Sequence, residues 1–272
     1  MKNPDQATAF HALHRGPELL ILANAWDGGS ARLIESLGAR AIATTSAGVA
    51  WAHGYPDGDA LPVPLVLATA HAIARVIRVP LTMDIEAGYS DDPETVGALA
   101  GQLIEAGVVG INLEDGSKSP DLLCAKIARI RRVAGELGVD LFINARIDVY
   151  LRGLVPEPAR LAEARARAAR YAGAGASGIF VPGVVEPSAL AAIAGAIDRP
   201  LNVLAWPGLP PAAELVRLGV RRLSAGSAIA QGALTRTRAL ATAFLHDNQG
   251  QREAPADGAL THRDMNALLT GK

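Results

Sequence analysis

The chain is expected to fold as a single (β/α)8 barrel of the α/β class, and three observations lead there. Short apolar runs alternate with longer amphipathic runs at a spacing of roughly thirty residues, so that eight βα units fit into about 225 residues. The chain, at 272 residues, has the length of one such barrel. Half of its residues are hydrophobic but only 4% are aromatic, an aliphatic supply suited to stacked layers of side chains inside a barrel.

The elements follow in order. A strand over 19–24 leads to a helix over 29–38, and a second strand over 41–45 runs into small residues, TTSAGVA, read as a loop. A helix over 63–78 precedes the strand 81–85. The next helix, 93–106, has its start marked by Asp92 as N-cap and Pro93 at the first helical position. The strand 110–114, the helix 119–136, the strand 141–146 and the helix 158–173 come next. Strands at 178–181, 201–205 and 221–224, with helices at 187–196, 211–218 and 226–246, complete the count. Gly38, Gly107, Gly138 and Gly219 each stand shortly before a strand, where a helix has to stop. Residues 1–246 are taken as one barrel domain and 247–272 as a polar tail or arm with one short helix at 260–269.

Several function classes are excluded or reduced. A net charge of −1 gives no electrostatic footprint for nucleic acid. The arginines between Arg160 and Arg170 are read as a solvated helix face with a Glu163–Arg167 pair. One cysteine, Cys124, rules out an internal disulfide and reads as a buried structural thiol on a helix. No signal-peptide core and no apolar stretch long enough for a membrane are present, so a cytoplasmic location is expected. The six histidines lack metal-ligand spacing, and no nucleophile elbow occurs. Gly173, Gly175 and Gly178 spell a G-x-G-x-x-G, but it closes a helix and enters a strand, the reverse of a dinucleotide site.

Chemistry in such barrels lies at the C-terminal ends of the strands. The third strand runs into Asp84 and Glu86, which share one face, the fourth ends at Glu114 and Asp115, and the loop after the second carries Asp57. Carboxylates converging in a poorly solvated pocket repel one another, and a hard cation such as Mg2+ or Mn2+ resolves the conflict while keeping several waters. Arg146, at the end of the fifth strand, complements this by offering a guanidinium to a substrate carboxylate, its alternative role being a salt bridge to Asp148 or Glu114. Thr45, Ser46, Ala47 and Gly48 are small enough for their backbone N–H groups to approach a ligand oxygen. Ser224–Ser227, at a helix start, is a second possible anion site or a plain cap.

Together TSAGVA, GYPDG, MDIEAGY, the Glu114–Asp115 pair and the NAR of Arg146 resemble, in order and spacing, the isocitrate lyase / phosphoenolpyruvate mutase superfamily. The resemblance implies Asp84 as direct metal ligand, with Asp57, Glu86 and Glu114 holding the metal's waters. It also implies Thr45, Ser46, Ala47 and Gly48, with Arg146, as the binding site for the carboxylate end of a small 2-oxo or 2-hydroxy acid. It implies a homodimer or homotetramer in which a C-terminal helix is exchanged between subunits. The lysine- and cysteine-containing lid of the lyases is replaced here by GSKSP, which leaves Lys118 as the movable acid or base. Four functions remain open: a metal-dependent carbon–carbon lyase or decarboxylase, a phosphonopyruvate-type C–P bond enzyme, a non-catalytic 2-oxo-acid-binding protein, and a phosphate-binding barrel using Ser224–Ser227.

Overall fold

The computed structural model describes residues 2–246 and 259–270. Its parallel strands are β1 (Leu20–Leu22), β2 (Asn24–Ala25), β3 (Ile42–Thr44), β4 (Leu81–Asp84), β5 (Gly110–Glu114), β6 (Phe142–Arg146), β7 (Gly178–Phe180), β8 (Leu201–Leu204) and β9 (Val220–Ser224). The helices are α1 (Pro4–Leu13), α2 (Gly28–Ser36), α3 (Ser46–Ala52), α4 (Val63–Val76), α5 (Pro93–Glu105), α6 (Pro120–Glu136), α7 (Glu157–Ala174), α8 (Pro187–Ala194), α9 (Ala212–Arg217), α10 (Ala228–His246) and α11 (His262–Thr270).

The sheet order β1-β9-β8-β7-β6-β5-β4-β3-β2 is that of a barrel, with β1 paired to β9 and β2 to β3. The expected first strand is therefore broken at Ala23 into two pieces, one for each neighbour. Asn24 mends the break: its Nδ2 donates to Thr44 O (2.7 Å) and its Oδ1 accepts from Gly226 N (3.0 Å). The other strands form as expected, since each is an apolar run covered on its outer side by helices.

Local punctuation behaves as the sequence indicates. Asp92 caps α5 by accepting from Glu94 N and Thr95 N, and Ser119 caps α6. Gly38, Gly107, Gly138 and Gly219 all have positive φ. Gly175 ends α7 in the left-handed conformation, so the glycine triplet is a helix stop.

Four expectations are corrected. The N-terminal helix α1 was not anticipated; it plugs the N-terminal mouth of the barrel with Phe10, fully buried and edge-on to Phe142 (centroids 5.3 Å apart). Gly110 makes room for this plug, because a Cβ there would stand 2.7 Å from the Phe10 ring. TTSAGVA is not a loop, since Ser46–Ala52 form α3 with Thr45 as N-cap. The lumen is not filled by aliphatic layers alone, for Thr82, Asn112, Asn144, Asn202, Arg222 and Ser224 are all buried on five strands and several hydrogen-bond to one another. Arg167 belongs to no solvated face: it pairs with Glu163 as expected (2.7 Å) but is buried and also holds Asp115 (2.8 Å).

Cys124 is half-buried against the core, with burial pushing its thiol pKa up, which fits an inert structural thiol. Most of the expected polar tail, residues 247–258, lies outside the described residues. Beyond it α11 packs on α2, where Arg32 Nε donates to Leu268 O (2.9 Å). Among the described residues, no helix is long and apolar enough to cross a membrane.

Candidate active site

The C-terminal rim of β3 to β6 collects the acids. Asp84 ends β4; its Oδ1 accepts from Glu86 N (3.1 Å), its Oδ2 accepts from Asn112 Nδ2 (3.2 Å), and its backbone N–H donates to Thr44 Oγ1 (2.9 Å). Every one of these contacts comes from a neighbouring strand or the adjoining turn, so the register of β3, β4 and β5 places the carboxylate. Burial raises the Asp84 pKa, with Arg146 and the bonds from Glu86 and Asn112 opposing.

Glu86 is buried in the turn after β4, with φ of 53°. Its Oε2 accepts from Gly58 N (2.8 Å) and from Asp59 N, so the loop after α3 is tied to the turn after β4. Asp59 returns the tie, its Oδ1 accepting from Ala87 N (3.2 Å) and Tyr89 N (3.1 Å). Glu86 Oε1 is buried and makes no hydrogen bond. Burial pushes the Glu86 pKa up to about 7, and the neighbouring Asp57 and Asp84 add to the rise. Asp57 stands exposed on the same loop, close enough to act electrostatically on both Asp84 and Glu86.

Glu114 ends β5, facing Arg146 at the end of β6 in direct register. Arg146 Nη1 lies 2.5 Å from Glu114 Oε2, and Arg146 Nε lies 2.7 Å from Asp148 Oδ1. Arg152 completes a four-membered network, reaching Asp148 Oδ2 at 2.7 Å and Glu114 Oε1 at 3.3 Å. Burial, reinforced by Asp148 and Asp84, pushes the Glu114 pKa up to about 8 against the pull of the two guanidiniums. Burial works against the Arg146 charge, yet Glu114, Asp148 and Asp84 together hold its pKa above the ordinary arginine value. Arg146 thus makes the salt bridges foreseen as its alternative role, while standing close enough to Asp84 to share its field.

The remaining expected residues are placed as follows. Thr45–Gly48 form the N-cap and first turn of α3. In that turn the N–H groups of Ser46, Ala47 and Gly48 have no intrahelical acceptor, which keeps them available to a ligand oxygen. A Cβ at Gly48 would stand 2.7 Å from Thr45 Cγ2 and 2.9 Å from Trp26 Cβ, so only glycine fits. Lys118 lines a narrow crevice with Glu114 and Asp115, while its ammonium pairs with Asp91 (2.5 Å) on the exposed side. At Ser224–Ser227 the anion reading weakens, because Ala225 N, Gly226 N and Ala228 N all donate to Leu22 O, Asn24 Oδ1 and Ala225 O. A roomy cleft lined by His71, Arg75, Arg78 and Pro80 opens at the opposite end of β4 and holds none of these acids.

Sequence reasoning placed Asp115 among the rim acids but missed its role as a support of the site. Asp115, fully buried, accepts from Asp148 N (3.0 Å), Tyr171 OH (2.7 Å) and Arg167 Nη1 (2.8 Å), and so fixes the turn that carries Arg146's partner. Asp59, two residues after Asp57 in GYPDGD, was legible as an acid but not as the tie between two loops. Arg152 and Asn112 were likewise passed over.

The donor set consists of carboxylates alone, suiting a hard cation. Among the described residues no three of His, Cys, Asp and Glu form a complete ligand cluster. Asp84, Glu86 and Glu114, all with burial-raised pKa values, and the unpartnered Glu86 Oε1 are a donor set that would suit a divalent ion keeping most of its shell as water.

A family model described as phosphoenolpyruvate phosphomutase matches residues 10–245. An uncharacterized protein of Mycobacterium tuberculosis is 39% identical over 80% of this chain and 82% of its own length. Oxaloacetate decarboxylase of Pseudomonas aeruginosa is 30% identical over 80% of this chain and 78% of its own. The fold is shared with a phosphonopyruvate hydrolase solved with oxalate and Mg2+ (TM-score 0.83, 23% identity, 98% of this chain and 95% of that one).

Proposed function

Because the chain belongs to the phosphoenolpyruvate phosphomutase family, we propose that it is a divalent-metal-dependent carbon–carbon lyase or decarboxylase acting on a small 2-oxo or 2-hydroxy dicarboxylate. The observation that carries this reading is the meeting of Asp84, Glu86 and Glu114 with Arg146 at one rim, three acids with raised pKa values beside a buried guanidinium. The relatives support it, one being an oxaloacetate decarboxylase and another a fold neighbour that binds oxalate with Mg2+.

In this reading Asp84 would hold Mg2+ or Mn2+ directly, and Asp57, Glu86 and Glu114 would hold its waters. When bound, the ion would supply Lewis-acid polarisation of the substrate's 2-oxo group. Arg146 binds the carboxylate beside that group, and the N–H groups at the start of α3 orient its oxygens. Lys118, on a short and exposed segment, serves as the acid or base that delivers a proton to the enolate carbon, which keeps the bonding electrons once the carbon–carbon bond breaks. The short GSKSP segment leaves the rim open, and Arg152, half-exposed next to Glu114, offers a charge for the distal acid of a dicarboxylate.

The C-terminal helix belongs to the same proposal. From 231 to 246 every residue of α10 is exposed, Leu234, Leu240, Phe244 and Leu245 included, so beyond Ala230 this stretch buries none of its apolar side chains among the described residues. Exchange of α10 within a homodimer or homotetramer covers these residues.

The test is proton NMR of pooled 2-oxo and 2-hydroxy di- and tricarboxylates with protein and Mg2+, run beside Asp84→Ala. We expect one compound to be consumed with growth of a cleavage product, and the variant to be inert. Line broadening without turnover would replace the lyase by a binding protein. Turnover of phosphonopyruvate alone would replace it by C–P chemistry.

A further inference from the structure

Between its aromatic floor and its acidic rim, the barrel lumen is crossed, among the described residues, by one cation. Arg222 on β9 is fully buried. With β1 and β2 counted as one broken strand, β5 lies opposite β9 around the barrel. The hydrogen bond from Arg222 Nη2 to Asn112 Oδ1 (3.2 Å) therefore spans the lumen. Asn112 Oδ1 also accepts from Asn144 Nδ2 (2.9 Å), and Asn112 Nδ2 donates to Asp84 Oδ2 (3.2 Å). The chain of contacts thus runs from the far wall of the barrel to the carboxylate at the centre of the site.

An asparagine amide can turn to present either its oxygen or its NH2 group to a neighbour. Here the choice is dictated. A guanidinium has five donors and no acceptor, so it must take Oδ1, which leaves the NH2 group for Asp84. Reversed, Asn112 would aim its own oxygen at a carboxylate. Asn144 cannot impose this alone, because its amide can also turn; Arg222 has no second state. Among the described residues the arginine's one other hydrogen bond is to Ser224 Oγ (3.4 Å), and no carboxylate accepts from it, Asp84 acting on its charge only across the intervening amide. Its Nη1 is left without a partner altogether. Burying a guanidinium on such terms is costly, which demands a return elsewhere in the molecule.

We propose that Arg222 is a positioning residue for the metal site: acting through Asn112, it fixes which end of the amide faces Asp84 and so holds that carboxylate aimed at the divalent cation. This rests on the reading of Asp84 as the metal ligand. Neither Arg222 nor Asn112 touches substrate; both act through the orientation of one side chain.

Mn2+ binding, followed by electron paramagnetic resonance of the free ion, tests it in the full-length protein. Wild type, Asp84→Ala, Arg222→Met, Arg222→Lys and Asn112→Leu are compared, with thermal unfolding recorded for each. Arg222→Met and Asn112→Leu should weaken Mn2+ binding about 10- to 100-fold. Arg222→Lys, which can still only donate, should recover most of the loss; a merely structural role would give no such rescue of affinity. A folded Arg222→Met protein that binds Mn2+ like wild type overturns the proposal. If that variant does not fold, Asn112→Leu decides, since wild-type affinity there overturns it equally. A wild-type protein that binds no Mn2+, or an Asp84→Ala protein that binds it unchanged, removes the metal-ligand reading and the proposal with it, a result distinct from the other two.

Discussion

The two mouths of the barrel are built on opposite terms. At the N-terminal mouth, Phe10, His14 and Phe142 close the lumen, with His14 stacked on Phe142 at 4.0 Å and all three buried. At the C-terminal mouth the chain gathers like charges, leaves Glu86 Oε1 unpartnered and holds Glu86 and Tyr89 at positive φ. The floor contributes stability by filling space, and the rim gives some of it up to keep acids ionisable and close together. That asymmetry is what a barrel enzyme requires, since its chemistry sits at one end only.

Breaking the floor should have the larger effect. Phe10→Ala removes a ring that meets Gly110 and Phe142, and a cost of about 3–5 kcal/mol is expected in denaturant unfolding. Mg2+ affinity of the folded fraction should not change. A similar loss of Mg2+ affinity would mean that floor and rim are not separable.

The rim should announce itself through pH. Glu86 has its pKa raised from 4.5 to about 7 and Glu114 to about 8, so the metal-free folded protein keeps protons there that the unfolded chain has lost. Stability of the metal-free protein should therefore rise as pH falls from 8 to 6.5, by something on the order of 1–2 kcal/mol. Below that window His14 opposes the trend without reversing it: burial and the nearby Arg222 lower its pKa to about 3, so the unfolded chain takes up that one proton first, against the two that Glu86 and Glu114 hold in the fold. Stability should turn down only as pH falls through the unfolded glutamate value of 4.5. Saturating Mg2+ should flatten or reverse the slope between 8 and 6.5, because the ion favours the ionised acids. Thermal unfolding at matched ionic strength, with and without Mg2+, reads both.

The smallest effect is expected at the support beneath the rim. Tyr171→Phe removes one of three bonds to the buried Asp115, and Arg167 and the Asp148 N–H remain. About 1 kcal/mol of stability should be lost. A loss several times greater would show that Asp115 needs all three partners to keep its charge.

The rim was legible in the sequence because strand alternation and the barrel's polarity together assign acids at strand ends to one place, as for Asp84, Glu86 and Glu114. The floor was not legible, for FHALH in α1 carries no strong periodic signal and its partners lie far off in the sequence. Arg222 sat in RRLS, which reads as the polar end of a strand; only the inward alternation of Val220, Arg222 and Ser224 reveals it. One signal did exist: Asn112 in GINLE and Asn144 in FINAR stand at the same register on adjacent strands, a polar pair where an aliphatic one is expected. The helix at Ser46–Ala52 was hidden because its small residues suggest a loop and Thr45, at the N-cap position, makes no side-chain capping bond.

The tie between the loops at 57–59 and 86–89 has a consequence for anyone re-engineering this protein. Asp59, Glu86 and Tyr89 all stand in the left-handed region, a conformation costing non-glycine residues about 1–3 kcal/mol apiece. A campaign that ranks substitutions by thermal hardiness will be drawn to these three positions. Each gain there would come from untying the segment that keeps the acids in place, so hardiness and competence must be selected together from the first round.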